Sequence, residues 1–226
     1  MNLDFSFVSK YLPVFIDGAK ITLVISFITV LFGVLFGSVL FFMKSSNIHI
    51  GKFKPLKIIA SIYIEIVRGT PMLLQILMVY SGSKMIFGID ISAFASAVIA
   101  ISLNSAAYVS EIVRAGIEAV DKGQLEAARS LGMTQAMAMR LVGIPQAVRN
   151  ILPAIGNEFV TIIKESSMAS VIGVGELMFS AKVVTGATYL GFEPLIIAAV
   201  FYFIMTFSLG RLMSYIERRL KVSDSR

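Results

Sequence analysis

Residues Gly116 to Pro153 read GIEAVDKGQLEAARSLGMTQAMAMRLVGIPQAVRNILP, a polar stretch set between apolar runs that are long enough to cross a bilayer. Its middle is rich in Ala, Leu, Met, Glu and Arg, which favour helix, and Gly132 divides this part in two. Pro145 and Pro153 bracket the return to apolar sequence. The stretch, called the insert below, therefore predicts two short helices joined at a glycine.

Apolar residues recur along the insert at helical spacing and leave Glu126 and Arg129 on another face. The apolar positions are Leu125, Ala128, Leu131 and Gly132. Two interpretations are open at this point. The insert is either a projecting knob to which another protein docks, or an amphipathic loop that packs on its own helices.

Composition places the rest of the chain in a membrane. Of 226 residues, 57% are hydrophobic and 15% are charged, and the mean hydropathy is +0.84. The absence of cysteine excludes disulfides and Cys-based metal sites, and a single histidine, His49 in a loop, excludes His-based metal sites and catalytic triads. The first ten residues lack the pattern of a cleavable signal peptide, so none is expected.

Five segments approach the roughly 20 residues that a helix needs to cross hydrocarbon. They are residues 16–43, 56–87, 91–113, 151–174 and 194–213. The first contains Gly33 and Gly37, whose spacing favours close helix packing. The sequence thus predicts an all-α membrane protein with five transmembrane helices in a single domain, residues 1–226, with the insert at 116–150.

The positive charges predict the orientation of these spans. With the N-terminus outside, 14 of the 20 Lys and Arg residues lie in inner regions, four lie in outer regions, and Arg68 and Lys164 lie within spans. Inner loops of membrane proteins carry the excess of positive charge. We therefore expect the C-terminus and the insert to be cytoplasmic, and the basic net charge of +6 needs no nucleic acid to explain it.

The insert resembles the EAA motif of ABC importer permeases: Glu126-Ala127-Ala128, three residues, Gly132, nine residues, then Val142-x-Ile144-Pro145. Val142 and Ile144 replace the usual Ile and Leu. Four further stretches resemble the branch of this family that imports polar amino acids. They are YIEIVRGTP at 63–71, EIVRAG at 111–116, PQA at 145–147 and KES at 164–166.

This resemblance implies the type I importer permease fold, with five spans per subunit, in a bacterial-type inner membrane. It further implies a dimer, expected here to be of identical chains, two ABC ATPase subunits that bind ATP-Mg, and an extracytoplasmic amino-acid-binding protein. Coupling to the ATPases is expected at Glu126, Ala127, Ala128, Arg129 and Gly132. The amino acid would cross by alternating access.

The sequence has no phosphate-binding loop of its own. Its one Gly-Lys pair, Gly51-Lys52, has Ser46 where the loop needs a leading Gly and Phe53 where it needs Ser or Thr. We therefore expect this chain to be no enzyme and to bind no cofactor or metal. Energy must come from a partner or from an ion gradient.

Polar residues at membrane depth indicate where the substrate binds, since each charge there costs roughly 2.5–3.5 kcal/mol without a cavity or partner. Glu158, Thr161 and Glu165 share one helix face, with Asn157 and Lys164 on the neighbouring face. Counting 1.5 Å per residue puts the two carboxylates about 10 and 20 Å above Ile151. Other candidates at comparable depth are Asn104, Ser105, Tyr108, Arg68 and Thr70.

Two interpretations of these groups stay open. In one, Glu65 and Arg68 form an i,i+3 ion pair, and Glu158 or Glu165 neutralises Lys164 or Arg68. In the other, the groups bind an amino acid, its carboxylate facing Arg68 or Asn104 and its cationic groups facing Glu158 and Glu165. Because two carboxylates exceed what Lys164 can neutralise, we expect a basic substrate such as arginine, lysine or histidine. The carboxylates could instead bind only the α-ammonium common to all amino acids.

Gly69, Thr70 and Pro71 predict either a break in the second span or an ordinary kink. Two other functional classes are also considered. An ion-coupled secondary transporter would use Glu158 or Glu165 as its ion site but would not need the insert. A non-transporting membrane scaffold would not need polar residues at midplane depth.

Overall fold

The computed structural model describes residues 3–50 and 52–222. Gly51 of the Gly-Lys pair and Arg226, one of the 14 inner Lys and Arg residues, lie outside the described residues. Within this part the chain is helical, and an isolated bridge between Ile50 and Phe53 is its one β-type pairing. The α-helices are α1 Val8–Ser45, α2 Pro55–Arg68, α3 Met72–Phe87, α4 Ala93–Glu118, α5 Lys122–Ser130, α6 Gln135–Ala138, α7 Ile144–Glu165, α8 Leu177–Thr188 and α9 Glu193–Val222.

Three helices of the described part, α1, α4 and α9, are each long and apolar enough to cross a bilayer. Two further candidates are bent pairs: α2 with α3, which meet at 108°, and residues 135–172 with α8, which meet at 49°. The total is five if each bent pair counts as one span. The apolar segments predicted as spans are therefore helical, but two of them change direction inside the fold.

Helix α4 lies at the centre of the bundle. In the most apolar 18-residue stretch of α4, 61% of the residues are buried, whereas the corresponding shares are 28% in α1 and 6% in α9. α4 contacts α1, α2, α3 and α7, because its Ala- and Ser-rich sequence lets neighbouring backbones approach closely. Ser92 caps its N-terminus by accepting a hydrogen bond from the backbone N–H of Ala95 at 3.2 Å.

The two glycines of α1 lie against α4. A Cβ added to Gly33 would fall 2.5 Å from Ser105 Oγ, and one added to Gly37 would fall 2.7 Å from Val109 Cβ. Any larger side chain would push the two helices apart. The predicted role of the Gly33 and Gly37 pair in helix packing is confirmed, and the packing occurs within one chain.

The fourth apolar segment differs from its prediction as one continuous span over 151–174. α7 ends at Glu165, a 3₁₀ turn follows over Ser166–Ile172, and Gly173 then reverses the backbone at φ +86°. The short helix α8, which the sequence analysis did not predict, follows in residues assigned to an outer loop. Glycine tolerates this left-handed conformation at low cost, so Gly173 ends the helical segment that runs over residues 135–172.

Candidate functional site

Ser105 and Glu158 join α4 to α7 in the middle of the bundle. Ser105 Oγ donates a hydrogen bond of 3.0 Å to Glu158 Oε1. Ser105 is 1% exposed, and Glu158 is partly buried. The contact puts the two residues at one level of the fold, as their predicted depths require.

Thr161 and Glu165 continue the same side of α7 and are partly buried, whereas Asn157 and Lys164 are exposed. In residues 3–50 and 52–222, neither Glu158 nor Glu165 forms an ion pair with a Lys or Arg. No close ion pair therefore neutralises them in this conformation, and Lys164 acts on Glu165 only through its charge at longer distance. Their two carboxylates remain available to a cationic group.

The second predicted span is broken at Gly69, Thr70 and Pro71, where α2 ends and α3 leaves at 108°. The interpretation of these residues as a break is thus confirmed against an ordinary kink. Thr70 Oγ1 donates to the Ile66 carbonyl oxygen at 2.9 Å, which satisfies one acceptor at the freed end of α2. Such satisfaction is what allows irregular backbone at membrane depth.

Gln75 holds this break together, and the sequence analysis did not identify it. Its Nε2 donates to the carbonyl oxygens of Val67 and Thr70 at 2.8 and 3.1 Å and to Thr70 Oγ1 at 2.8 Å. Its Oε1 accepts a hydrogen bond from Asn104 Nδ2 at 3.0 Å. Gln75 therefore ties the corner between α2 and α3 to α4. The sequence does contain a signal for this role: the amide side chain of Gln75 occurs one helical turn after Gly-Thr-Pro in an otherwise apolar run.

Arg68 and Tyr108 form a second contact between α2 and α4. The Arg68 guanidinium lies over the Tyr108 ring, 5.3 Å from its centroid. The predicted i,i+3 ion pair between Glu65 and Arg68 is wrong, since Arg68 turns toward the ring and both charged residues are exposed. A cation over an aromatic face is stabilised without a carboxylate.

Glu176 is a second buried polar residue that the sequence analysis missed. It is 0% exposed and caps α8, accepting hydrogen bonds from the backbone N–H groups of Met178 and Phe179 at 2.9 and 2.7 Å. Tyr202 of α9 donates its O–H to the same carboxylate at 2.7 Å. A carboxylate directly after Gly173 and Gly175 resembles a helix cap in sequence, but its burial depends on packing against α9.

The insert contains one short helix, α5, which a turn at Gly132 with φ +90° separates from α6. The prediction of a second short helix is wrong, because α6 continues through a π turn at Met139–Gly143 into α7 without a break. Asp121 caps α5 by accepting from the Gly123 N–H at 2.8 Å. Ala128 is buried, whereas Ala127, Glu126 and Arg129 are exposed. Leu131 is 84% exposed, so it does not share the burial of Ala128, although both lie on the predicted apolar face.

Beside this turn the insert forms a groove of about 320 Å³. Its lining includes Leu125, Glu126, Arg129 and Met139, so it combines an apolar floor with both charge signs.

A chain of ion pairs fixes the end of α4 just before the insert. Lys44 Nζ, in the last turn of α1, lies 2.7 Å from Glu111 Oε1. Arg114 Nη2 lies 2.8 Å from Glu111 Oε2, and Arg114 Nη1 lies 2.6 Å from Glu118 Oε2. The ends of α1 and α4 are therefore held together on the side of the molecule that carries the insert.

The fold and these polar groups can be compared with known proteins. A family model for the inner membrane component of binding-protein-dependent transport systems matches residues 33–222. The chain belongs to this family. It is therefore an integral inner-membrane component of a transport system, with the apolar helices described above.

Individual relatives agree with this assignment. Over 224 residues the chain is 45% identical to the arginine transport system permease protein ArtQ of Bacillus subtilis (strain 168), covering 99% of this chain and 100% of the relative. A protein of Rickettsia conorii, 40% identical over 97% of this chain and 100% of its own length, has a name that refers to a glutamine transport system permease, GlnP.

Solved structures show the same architecture. A crystal structure of an amino acid ABC transporter with histidines contains a chain that superposes with a TM-score of 0.90 at 53% identity, covering 97% of this chain and 100% of that one. A chain of the methionine ABC transporter MetNI, in an inward-facing conformation, superposes with a TM-score of 0.75 at 18% identity, covering 96% and 99%. The second likeness supports the fold alone.

Proposed function

We propose that this chain is the permease subunit of an ATP-driven importer of polar amino acids, basic ones in particular. The observation that carries the substrate class is the pair of partly buried carboxylates, Glu158 and Glu165, without an ion-pair partner in the described residues. The relative named for arginine transport, which matches over nearly the full length, favours the same class.

The substrate path would run between α2, α4 and α7. Glu158, Thr161 and Glu165 would face the cationic groups of the amino acid, with Ser105 orienting Glu158 through its hydrogen bond. On the other side, Arg68 at the end of α2 and Tyr108 of α4, together with Thr70 and Asn104, would face the substrate carboxylate. A site at a broken helix near the midplane is a common arrangement in transporters.

A second, identical copy of the chain is proposed to complete this path. Glu65, Arg68, Asn157 and Lys164 are exposed in the single chain, and charge facing lipid at this depth is costly. A water-filled path between two copies would hydrate these groups. The five-span count, with the N-terminus outside and the C-terminus in the cytoplasm, is part of the same proposal and follows from the distribution of Lys and Arg.

The insert would connect this path to the energy source. Two ABC ATPase subunits carrying ATP-Mg are proposed to dock on the exposed side of α5, at Glu126, Ala127, Arg129 and the turn at Gly132, with Ala128 as the buried anchor. The ion pairs of Glu111 would pass a displacement of the insert to α1 and α4. An extracytoplasmic amino-acid-binding protein would deliver the substrate to the opposite side.

The test is uptake of radiolabelled arginine, lysine, histidine and glutamine by proteoliposomes that contain this chain, its ATPase and its binding protein. We expect ATP-dependent uptake of at least one basic amino acid, and none by the chain alone under a proton or sodium gradient. Gradient-driven uptake without the ATPase would favour an ion-coupled secondary transporter and overturn the importer. ATP-driven uptake of glutamine alone would overturn the preference for basic substrates.

Gln75→Leu is expected to weaken both the fold and transport. The change keeps the volume but removes the hydrogen bonds that satisfy Val67, Thr70 and Asn104. Unsatisfied buried polar groups cost about 1–3 kcal/mol, which lowers Tm by roughly 2–10 °C for a chain of this size. Thermal unfolding and the KM for uptake measure the effect. Leu74→Met, on the exposed side of the same helix, is the control, and equal behaviour of the two variants would contradict the role of Gln75.

A further inference from the structure

The connection between α1 and α2 has a tip, formed by residues 48–50 and 52–54, that has no role in the proposed transport. Ile50 and Phe53 form a small antiparallel bridge, with N–H to carbonyl distances of 2.9 Å from Ile50 to Phe53 and 3.2 Å from Phe53 to Ile50. Both side chains are 69% exposed, and that of Ile48 is 60% exposed. Three large apolar side chains therefore project from a tight turn instead of packing on the bundle.

Basic residues surround these apolar side chains. Lys52 and Lys57 are exposed, and Lys54 Nζ donates a hydrogen bond to Asn47 Oδ1 at 2.9 Å. No Asp or Glu occurs anywhere from residue 18 to residue 64. The tip thus offers apolar and positive groups to its surroundings, and this stretch of the chain supplies no carboxylate of its own.

The helices that carry the tip are apolar where they meet it. It leaves α1 directly after an apolar helix and enters α2, whose first turns expose Ile58 and Ile59. The ion pair between Lys44 and Glu111 ties the base of the tip to the end of α4, where the insert begins. The tip therefore lies on the same side of the bundle as the insert, and the apolar ends of α1 and α2 would bring it to the membrane boundary.

We propose that this tip inserts into the adjacent lipid leaflet and binds anionic phospholipid headgroups. Ile48, Ile50 and Phe53 would enter the boundary between headgroups and acyl chains, while Lys52, Lys54 and Lys57 contact lipid phosphates. Apolar side chains flanked by Lys are the combination that binds anionic membrane surfaces. The contact would fix the depth of α1 and α2 beside the insert and make the subunit sensitive to anionic lipid.

The chain contains no Trp, so Phe53→Trp introduces a single fluorescent reporter at the tip. The full chain is reconstituted in vesicles whose acyl chains carry bromine, made either of phosphatidylcholine alone or with one third phosphatidylglycerol. We expect bromine to quench the Phe53→Trp variant by at least half in the anionic vesicles and clearly less in the neutral ones. Changing Lys52, Lys54 and Lys57 to Gln in the same variant should remove the difference between the two lipids.

Leu131→Trp is the matched control, because Leu131 is an exposed apolar residue of the insert on the same side. Its emission should be little quenched in either vesicle. Ile50→Trp is a second reporter in case Phe53→Trp does not fold. Quenching of the tip variants no stronger than that of Leu131→Trp would show that the tip lies in water and does not enter the bilayer. Equal quenching in both lipids would exclude anionic lipid as its ligand. Either result overturns the proposal.

Discussion

Gly132→Val is expected to lower amino acid uptake at least tenfold while ATP hydrolysis by the assembled transporter continues. Gly132 adopts φ +90°, and an added Cβ would meet no atom within 4 Å, so the cost lies in the backbone and not in a clash. A β-branched residue at positive φ is a genuine outlier, and such strain costs about 1–3 kcal/mol. The turn would relax and change the angle between α5 and α6. Glu126 and Arg129 would then leave the positions that we propose the ATPase contacts.

The measurement is the ratio of amino acid imported to ATP hydrolysed in proteoliposomes. Gly88→Val is the matched control, because Gly88 also has a positive φ, +67°, and open space around it, but follows α3 far from the insert. Both variants carry similar backbone strain, so both should lose similar stability. If Gly88→Val uncoupled the transporter as strongly as Gly132→Val, general destabilisation would explain the result, and the docking proposal would fail.

Local features of the sequence predicted the helices and several of their contacts. The lengths and hydropathy of α1, α4 and α9 are properties of single segments, so counting residues was enough to find them. Small residues at helical spacing predicted that Gly33 packs against another helix, and the structure identifies that helix as α4. Counting residues predicted comparable depths for Ser105 and Glu158, and the structure adds the hydrogen bond between them.

Features that depend on distant residues were not predicted. Gly69 and Pro71 indicate a break in the helix. The 108° turn at this break is held by Gln75 and Asn104, which come into contact only when α4 packs against α3. The spacing of Glu65 and Arg68 permits an ion pair without requiring one, and Tyr108 supplies a competing contact. The 12 residues of α8 are too few for a span, and its cap, Glu176, resembles a loop residue until Tyr202 covers it. Direction and burial are tertiary properties that hydropathy along one segment does not contain.

Glu158→Gln tests whether the surplus of carboxylates selects a cationic substrate. The Gln side chain has nearly the volume of Glu, and its amide oxygen can still accept the hydrogen bond of 3.0 Å from Ser105. The main change in the variant is therefore the loss of the negative charge at residue 158. A hydrogen bond to a charged group contributes about 1.5–3 kcal/mol, and its loss corresponds to a factor of roughly ten to a hundred in affinity. We therefore expect the KM for arginine to rise at least tenfold, and Glu165→Gln to act in the same direction. The control is Asp90→Asn, at an exposed carboxylate paired with Lys84.

Comparing arginine with glutamine separates the two interpretations of the site. If Glu158 faces the side-chain cation, Glu158→Gln should spare the transport of any neutral amino acid that the wild-type protein accepts. If Glu158 faces the α-ammonium, which every amino acid carries, uptake of arginine and glutamine should fall by the same factor. Wild-type kinetics for both substrates in both variants would place the site elsewhere. In that case the nearest remaining polar cluster is that of Gln75 and Asn104 at the corner between α2 and α3, which the Gln75→Leu variant tests independently.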